Sequence, residues 1–287
     1  MLKFIHLTDI HLISGGRRLY GVSPERRLHA AIDSINRDHA DADFVVLTGD
    51  QVHWGDNDSY RVLAEAIARL SVPVKVLMGN HDNREGLLAS ISGTGTDDNG
   101  FIQYVEDTEA GRCLFLDTHI DPQTDAGEYC EKRRSWLKSE LERNEDPVII
   151  FMHHPPLKLG LKGMDTIALR DVEPFYDVLR PHVSRIRQIF FGHVHRPVSG
   201  NWRGIAFSCM RGLNHQLALD LDAPATSIPG NFEPPAYSVV LADPDQIVIH
   251  MHEFMDRSPQ FELVAPEGAD GAEYSLNMRH GDWDLMT

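Results

Sequence analysis

Five short apolar runs each stop on a residue that can bind a metal ion, and this repeated ending constrains the fold more than any other feature of the chain. The stretch FIHLT leads into Asp9 and His11, and FVVLTG leads into Asp50. VKVLMG is followed by Asn80, His81 and Asp82, VIIFM by His153 and His154, and QIFFG by His193 and His195.

The runs at 3–7, 44–47, 74–78, 114–116, 148–152 and 188–191 are rich in Val, Ile, Phe and Leu, and most lack strict alternation. That pattern predicts strands covered on both faces. Helical patterns lie between them. Ser23 is a candidate N-cap, with Pro24 at the first helical position and Leu28, Ile32 and Ile35 at helical spacing. Asn57 or Asp58 is a candidate cap for a helix carrying Val62, Ala66, Ile67 and Leu70. A third helix over 131–143 places Trp136, Leu137 and Leu141 on one side. Strands alternating with helices predict an α/β layered fold. Beyond Gly204 the pattern changes. Residues 205–220 and 237–254 read as strands joined by a loop carrying Pro224, Pro229, Pro234 and Pro235, a segment that either completes a second sheet or forms a small cap, and the polar C-terminal stretch reads as a surface tail.

In open α/β sheets, ligand sites collect at the carboxyl ends of strands, so the five endings predict one shared rim. Taken singly, each ending is unremarkable: a Gly-Asp is usually a turn, and a His-x-His is more often a hydrogen-bonded pair than a metal site. The ordered set is different. Imidazole, carboxylate and amide oxygen without thiolate suit Fe, Mn, Co or Zn rather than a Ca or Mg cage. The donors exceed one ion's shell and suit two if a carboxylate bridges. Two divalent ions bring more charge than Asp9 and Asp50 remove, and the excess can hold a hydroxide and a phosphodiester anion together. A paired-metal site lowers the pKa of bound water towards ~7 and clamps the attacking and leaving oxygens, so hydroxide held on the metals would attack phosphorus. No G-x-S-x-G elbow occurs in the chain.

Asp9-Ile10-His11, Gly49-Asp50, Gly79-Asn80-His81-Asp82, His153-His154-Pro155-Pro156 and Gly192-His193-Val194-His195 resemble, in order, the five motifs of the calcineurin-like metallophosphoesterases. The resemblance covers roughly residues 4–200. Leu19-Tyr20-Gly21, the run 150–156 with Met164-Asp165 beyond it, and Asn214-His215-Gln216 are similar to the bacterial glycerophosphodiesterases and class III cyclic nucleotide phosphodiesterases. The resemblance implies a four-layer αββα sandwich with a small C-terminal cap or dimerisation segment, and a homodimer or higher oligomer. Residues 1–204 with part of 237–254 would form the core, and 205–236 with 255–287 the cap and C-terminal segment. It implies that Asp9, His11, Asp50 and His195 hold one ion, and that Asp50 bridges to a second completed by Asn80, His153 and His193. His81 would contact the phosphate or assist the leaving group, with Asp50 and Asn80 also in the catalytic set, and Asn80, His81 and His215 would bind substrate. His154 would support the site or pack beneath it, and Asp82 would orient His81 or a neighbouring loop. The chain departs from many relatives at Gln51-Val52-His53-Trp54, where His53 and Trp54 either line the pocket or pack as a surface loop. Arg17 and Arg18 either meet a second anionic group or form a solvated loop.

The expected activity is hydrolysis of small phosphodiesters, either glycerophosphodiesters or 3′,5′-cyclic nucleotides. Alternatives on the same site are a phosphomonoesterase or a phosphonate monoesterase, and from another class a non-catalytic scaffold. A formal net charge of −16 argues against a nucleic-acid polymer as substrate, because the global field repels phosphate backbones. Cys113, Cys130 and Cys209 are odd in number and lack CxxC spacing, which predicts free thiols. No apolar stretch approaches the ~20 residues a membrane span needs, and the N-terminus runs straight into a strand pattern, so a cytoplasmic protein is expected.

Overall fold

A computed structural model describes residues 1–120 and 124–277; the end of the expected C-terminal segment, 278–287, lies outside the described residues. The strands are Leu2–Leu7 (β1), Phe44–Thr48 (β2), Val74–Leu77 (β3), Tyr104–Thr108 (β4), Gly111–Phe115 (β5), Val148–Phe151 (β6), Ile186–Phe191 (β7), Val198–Trp202 (β8), Ile205–Cys209 (β9), Gln216–Leu217 (β10), Gly230–Asn231 (β11), Tyr237–Ala242 (β12) and Ile247–His252 (β13). One sheet has the order β13-β12-β1-β2-β3 and the other β4-β5-β6-β7-β9-β8, with β10 and β11 as a separate ribbon.

Both faces of the central strands are apolar because both are covered. Phe4, Phe44, Val46, Phe115, Ile149, Phe151 and Phe190 meet between the sheets. Their neighbours Ile5, Leu7, Val45 and Leu47 point the other way, against Leu28, Ile32 and Ile35 of α1 (Pro24–Asp38) and Tyr60 and Leu63 of α2 (Asn57–Ile67). α3 (Arg84–Ser90) adds Leu87 to this layer. On the far side, Val148, Ile150 and Ile189 pack with Leu137 and Leu141 of α4 (Glu131–Glu142). Past the short helix α5 (Lys162–Asp165), Phe175 and Leu179 of α6 (Val172–Leu179) join the same layer. This is the four-layer αββα sandwich expected. Period-two alternation is hidden in the sequence because each strand has a core on either side.

Local signals mostly hold. Ser23 caps α1 by accepting from Arg26 N. The cap of α2 is Asp56, ahead of the expected Asn57 or Asp58, because the extended backbone at Asp56 lets its carboxylate reach both the amide and the hydroxyl of Ser59. That helix ends at Ile67, which leaves Leu70 outside it. Ile205–Cys209, grouped with the cap on sequence, lies inside the second sheet as β9, parallel to β7, with Ile205 and Phe207 buried in the helix-side core. The part of 205–236 outside the two sheets therefore begins at Met210. Residues 255–277 form a separate unit, in which Asp270 caps α7 (Gly271–Asn277) through Glu273 N. The three cysteines are free, and no described helix is long and apolar enough to cross a membrane.

The parallel registers set the functional rim. Leu7 pairs with Leu47, Thr48 with Leu77, and Phe151 with Phe190. The chains leaving β1, β2 and β3, and those leaving β6 and β7, therefore emerge side by side.

The sandwich depends on the aromatic contact between its sheets. Phe4 stacks on Phe44 at 5.2 Å and meets Phe151 and Phe190 edge-on at 5.5 and 5.4 Å. Phe4→Ala is expected to cost about 3–5 kcal/mol, read from the denaturant midpoint. A loss below ~1 kcal/mol would mean that the sheets are not held by this cluster.

Candidate metal centre

Three of the five ligand-bearing loops, those after β1, β2 and β7, turn sharply as they leave their strands. Asp9, His11, Asp50, His193 and His195 all have left-handed backbones, with φ between 48° and 67°. Such conformations cost of order 1–3 kcal/mol for non-glycine residues and persist only where surrounding contacts hold them. Here the contacts run between loops: His11 N donates to Asp50 O at 2.9 Å, Asp9 N to Gly49 O at 3.2 Å, and Gly192 N to His153 O at 3.1 Å. Two glycines allow the loops to touch. At Gly49, with φ of 100°, a Cβ would enter the His153 ring, and at Gly79 it would collide with the Asp50 carboxylate.

The structure brings all seven expected ligand residues together, each of them buried. In one group, His195 Nε2 lies 3.2 Å from Asp9 Oδ1 and 3.1 Å from His11 Nε2, which lies 3.5 Å from Asp50 Oδ2. In the other, Asn80 Oδ1 lies 3.1 Å from His153 Nε2 and 3.0 Å from His193 Nδ1. His153 Nε2 in turn lies 3.5 Å from Asp50 Oδ2. One carboxylate oxygen thus stands equally far from an imidazole nitrogen of each group. Its partner, Asp50 Oδ1, accepts from His81 N at 2.9 Å.

This donor arrangement fits a pair of cations. Donors ~2.0–2.2 Å from a shared ion stand about 2.9–3.5 Å apart, the range seen in both groups. His153 Nδ1 donates to Thr48 O at 2.7 Å and His195 Nδ1 to His215 O at 2.8 Å, so both rings turn their Nε2 toward carboxylate oxygens. A lone pair facing a buried carboxylate needs a cation between them, either a proton or a metal ion. Burial lowers both rings, but Asp50 outweighs it and raises His153 to about 9, and Asp9 raises His195. Conversely, burial pushes the Asp50 carboxyl up, and His153, His81 and His11 overcome it and hold it well below its usual range. The remaining imidazoles are kept neutral: burial and nearby rings push His193 and His215 down to about 3, and burial takes His11 well below its normal value.

Asp82 is turned away from the donor groups. It accepts from Gly79 N, Gln51 N, Val52 N and Tyr60 Oη, tying the β2 and β3 loops together, and burial followed by Asp50 raises it to about 6. His154 is fully buried, its Nδ1 2.7 Å from Thr118 Oγ1 and its ring 4.6 Å from that of His193. His154 Nε2 and His193 Nε2 have no hydrogen-bond partner among the described residues. His81 donates Nδ1–H to His53 O at 2.8 Å, and His215 sits 4.3 Å from the His195 ring. Trp54 is half exposed, edge-on to His53, with Arg17 over its face at 5.0 Å, while Arg18 turns back to Gly21 O. Sequence reasoning missed Thr48 and Thr8, which anchor His153 and Asp9. Their place at strand ends, just before the ligand loops, was the available signal.

Above the donors lies an open cleft of about 220 Å³. The imidazoles with Asp50 and Asn80 form its floor, and Met164, Ile167, Leu217, Ile228 and Asp125 complete its lining.

Comparison with known proteins places these observations. The family model described as calcineurin-like phosphoesterase matches residues 2–197. A probable cyclic nucleotide phosphodiesterase of Rhodopseudomonas palustris is 43% identical over 268 residues, covering 91% of this chain and 96% of the relative. A probable glycerophosphodiester phosphodiesterase of Arcobacter nitrofigilis is 32% identical over 238 residues, covering 81% and 85%. Among solved structures, a dimetal phosphatase from Danio rerio has the same fold, with a TM-score of 0.66 at 19% identity, covering 87% of this chain and 95% of that one.

Two outcomes follow from the geometry. Gly79→Ala should push Asp50 out of place, so metal content measured by elemental analysis should fall by about one ion or more per chain while circular dichroism stays native. Full metal content in this variant would refute the close packing beneath Asp50. With His153 raised to about 9, the metal-free site is protonated at neutral pH and must lose that proton when an ion binds. Metal affinity should therefore rise with pH until about 9. Calorimetry at pH 7 in buffers of different ionisation enthalpy should show net proton release, and its absence would contradict the assignment.

Proposed function

The chain belongs to the calcineurin-like phosphoesterase family, and from that premise we propose that it hydrolyses small phosphodiesters, 3′,5′-cyclic nucleotides in preference to glycerophosphodiesters. The observation carrying this reading is the placement of Asp50 Oδ2 3.5 Å from His11 Nε2 and from His153 Nε2, one carboxylate between two donor groups. In this reading Asp9, His11, Asp50 and His195 hold one ion and Asp50, Asn80, His153 and His193 the other, drawn from Fe, Mn, Zn or Co. When bound, such a pair neutralises charge on the phosphoryl oxygens and lowers the pKa of water at the site towards ~7.

The chain's own residues do the rest. Asp50 Oδ1 is fixed by His81 N, so the carboxylate cannot rotate away from its place between the groups. The His53 carbonyl only accepts, which keeps a proton on His81 Nδ1 and leaves Nε2 as the nitrogen that exchanges one. His81 lines the cleft, where a departing alkoxide needs a proton. His215, kept neutral by burial, lines it too and can hydrogen-bond a bound ester.

Cleft chemistry supports a diester. Asp125 in its lining opposes a second negative charge, and the apolar lining residues Met164, Ile167, Leu217 and Ile228 suit an organic substituent. A diester brings one negative charge and two such substituents. The 43% identical relative is named a probable cyclic nucleotide phosphodiesterase, which favours a nucleoside-bearing substrate over a glycerol one.

The test is a substrate panel on manganese-loaded protein: cAMP, glycerophosphocholine, a phosphonate ester, bis(p-nitrophenyl) phosphate and p-nitrophenyl phosphate. Diesters should be cleaved faster than the monoester across pH, and cAMP faster than glycerophosphocholine. Faster monoester turnover would reject the diesterase reading, and no turnover by fully loaded protein would favour a scaffold. His81→Ala should keep both ions and slow turnover by roughly 10²–10⁴-fold.

A further inference from the structure

We infer that His53 is a positioning residue serving both halves of this site: its ring holds His11 in the tautomer that ion binding requires, and its ring face holds His81. The inference rests on the two-ion reading above.

His11 turns Nε2 toward the donor group, 3.1 Å from His195 Nε2 and 3.5 Å from Asp50 Oδ2. With an ion held there, Nε2 supplies the lone pair and the ring proton must sit on Nδ1. Metal-binding histidines almost always pass that second N–H to a carboxylate, a carbonyl or water, and this partner fixes ring orientation and basicity. His153 and His195 follow the pattern, with Thr48 O and His215 O as acceptors. His11 does not. Its Nδ1 lies 3.1 Å from Nδ1 of His53, so the acceptor is another imidazole. An imidazole nitrogen accepts only when it carries no proton, so His53 serves as a neutral ring with its hydrogen on Nε2.

The same ring meets His81. The two imidazoles stack with centroids 4.7 Å apart and planes 16° from parallel, while the His53 carbonyl accepts a hydrogen bond from His81 Nδ1–H. Trp54 closes the outer edge of His53 at 5.1 Å. The backbone at this position is secured separately, because His53 N donates to Leu12 O at 3.0 Å. Replacing the side chain therefore removes the ring's two roles and leaves the loop's own anchor in place.

Those roles separate by substitution. His53→Asn keeps a hydrogen-bond acceptor near the Nδ1 position and loses the stack. His53→Phe keeps the stack and loses the acceptor, and His53→Ala loses both. Zinc titration against a chromogenic chelator should show two ions bound by the natural chain. In H53A and H53F the affinity for one ion should fall by about 10–100-fold, the scale for losing an outer partner of a metal ligand, and in H53N it should return to within roughly threefold. At saturating zinc, bis(p-nitrophenyl) phosphate turnover should show the opposite rescue: kcat of H53A and H53N lowered by roughly tenfold with KM unchanged, and kcat of H53F close to the natural value. Unchanged affinity in H53A and H53F, or equal loss in all three variants, overturns the acceptor role. Equal kcat loss in H53F and H53A overturns the stacking role. A natural chain that takes up fewer than two ions would instead sink the two-ion reading itself.

Discussion

Asp50 is the constraint to which the rest of the site is fitted. Its carboxylate is buried, and a buried anion is tolerated only where opposite charge or hydrogen-bond donors surround it. One oxygen takes the backbone N–H of His81, and the other stands between nitrogens of two separate donor groups. The β2 strand that delivers it lies between β1 and β3, so the donors of the first and third loops flank it by register alone.

Convergence has a conformational cost. Five of the seven donors sit in left-handed backbone, a region that non-glycine residues seldom occupy. Strain on that scale survives because the loops are crosslinked to one another and because Asp82 gathers three backbone amides and the Tyr60 hydroxyl beneath them. The sandwich below supplies stiffness: stacked Phe115, Phe151 and Phe190 leave the strand ends little freedom to spread. Backbone strain, loop crosslinks and the aromatic core therefore belong to one arrangement that holds donor atoms about 3 Å apart.

Much of this could be read from the sequence, and what could not has physical causes. The layered fold was legible because apolar runs ending on donors occur at strand length with capped helices between them. The convergence of the seven expected side chains was legible because each lies within a few residues of the end of its run, and residue type carries the chemistry. The α2 cap was misplaced by local ambiguity, since Asp56, Asn57 and Asp58 are all capping types and only the backbone selects among them. Ile205–Cys209 went to the cap on sequence because the chain passes through β8 first, and the parallel pairing of β9 with β7 is long-range. Thr48 escaped, and the partner of His53 could not be chosen, for a related reason. Their partners, His11 and His153, are remote in sequence, and no periodicity records which nitrogen of a ring will need an acceptor.

The imidazoles also explain how an acidic chain can handle an anion. With a net charge of −16, long-range steering works against a phosphate ester, so attraction must arise locally. Burial keeps His11, His193 and His215 neutral, which makes them donors of lone pairs and hydrogen bonds rather than of charge. Positive charge at the floor is then whatever the ions bring beyond Asp9 and Asp50. A charge confined to a low-dielectric floor acts strongly over a few ångströms and weakly beyond the Debye length, about 8 Å at physiological salt. A large polyanion is repelled by the whole surface before it feels that floor, whereas a small ester can enter the cleft and come within its range. In the activity proposed above, a preference for small substrates would follow from where the charge is placed, a property of the loops and not of the overall composition.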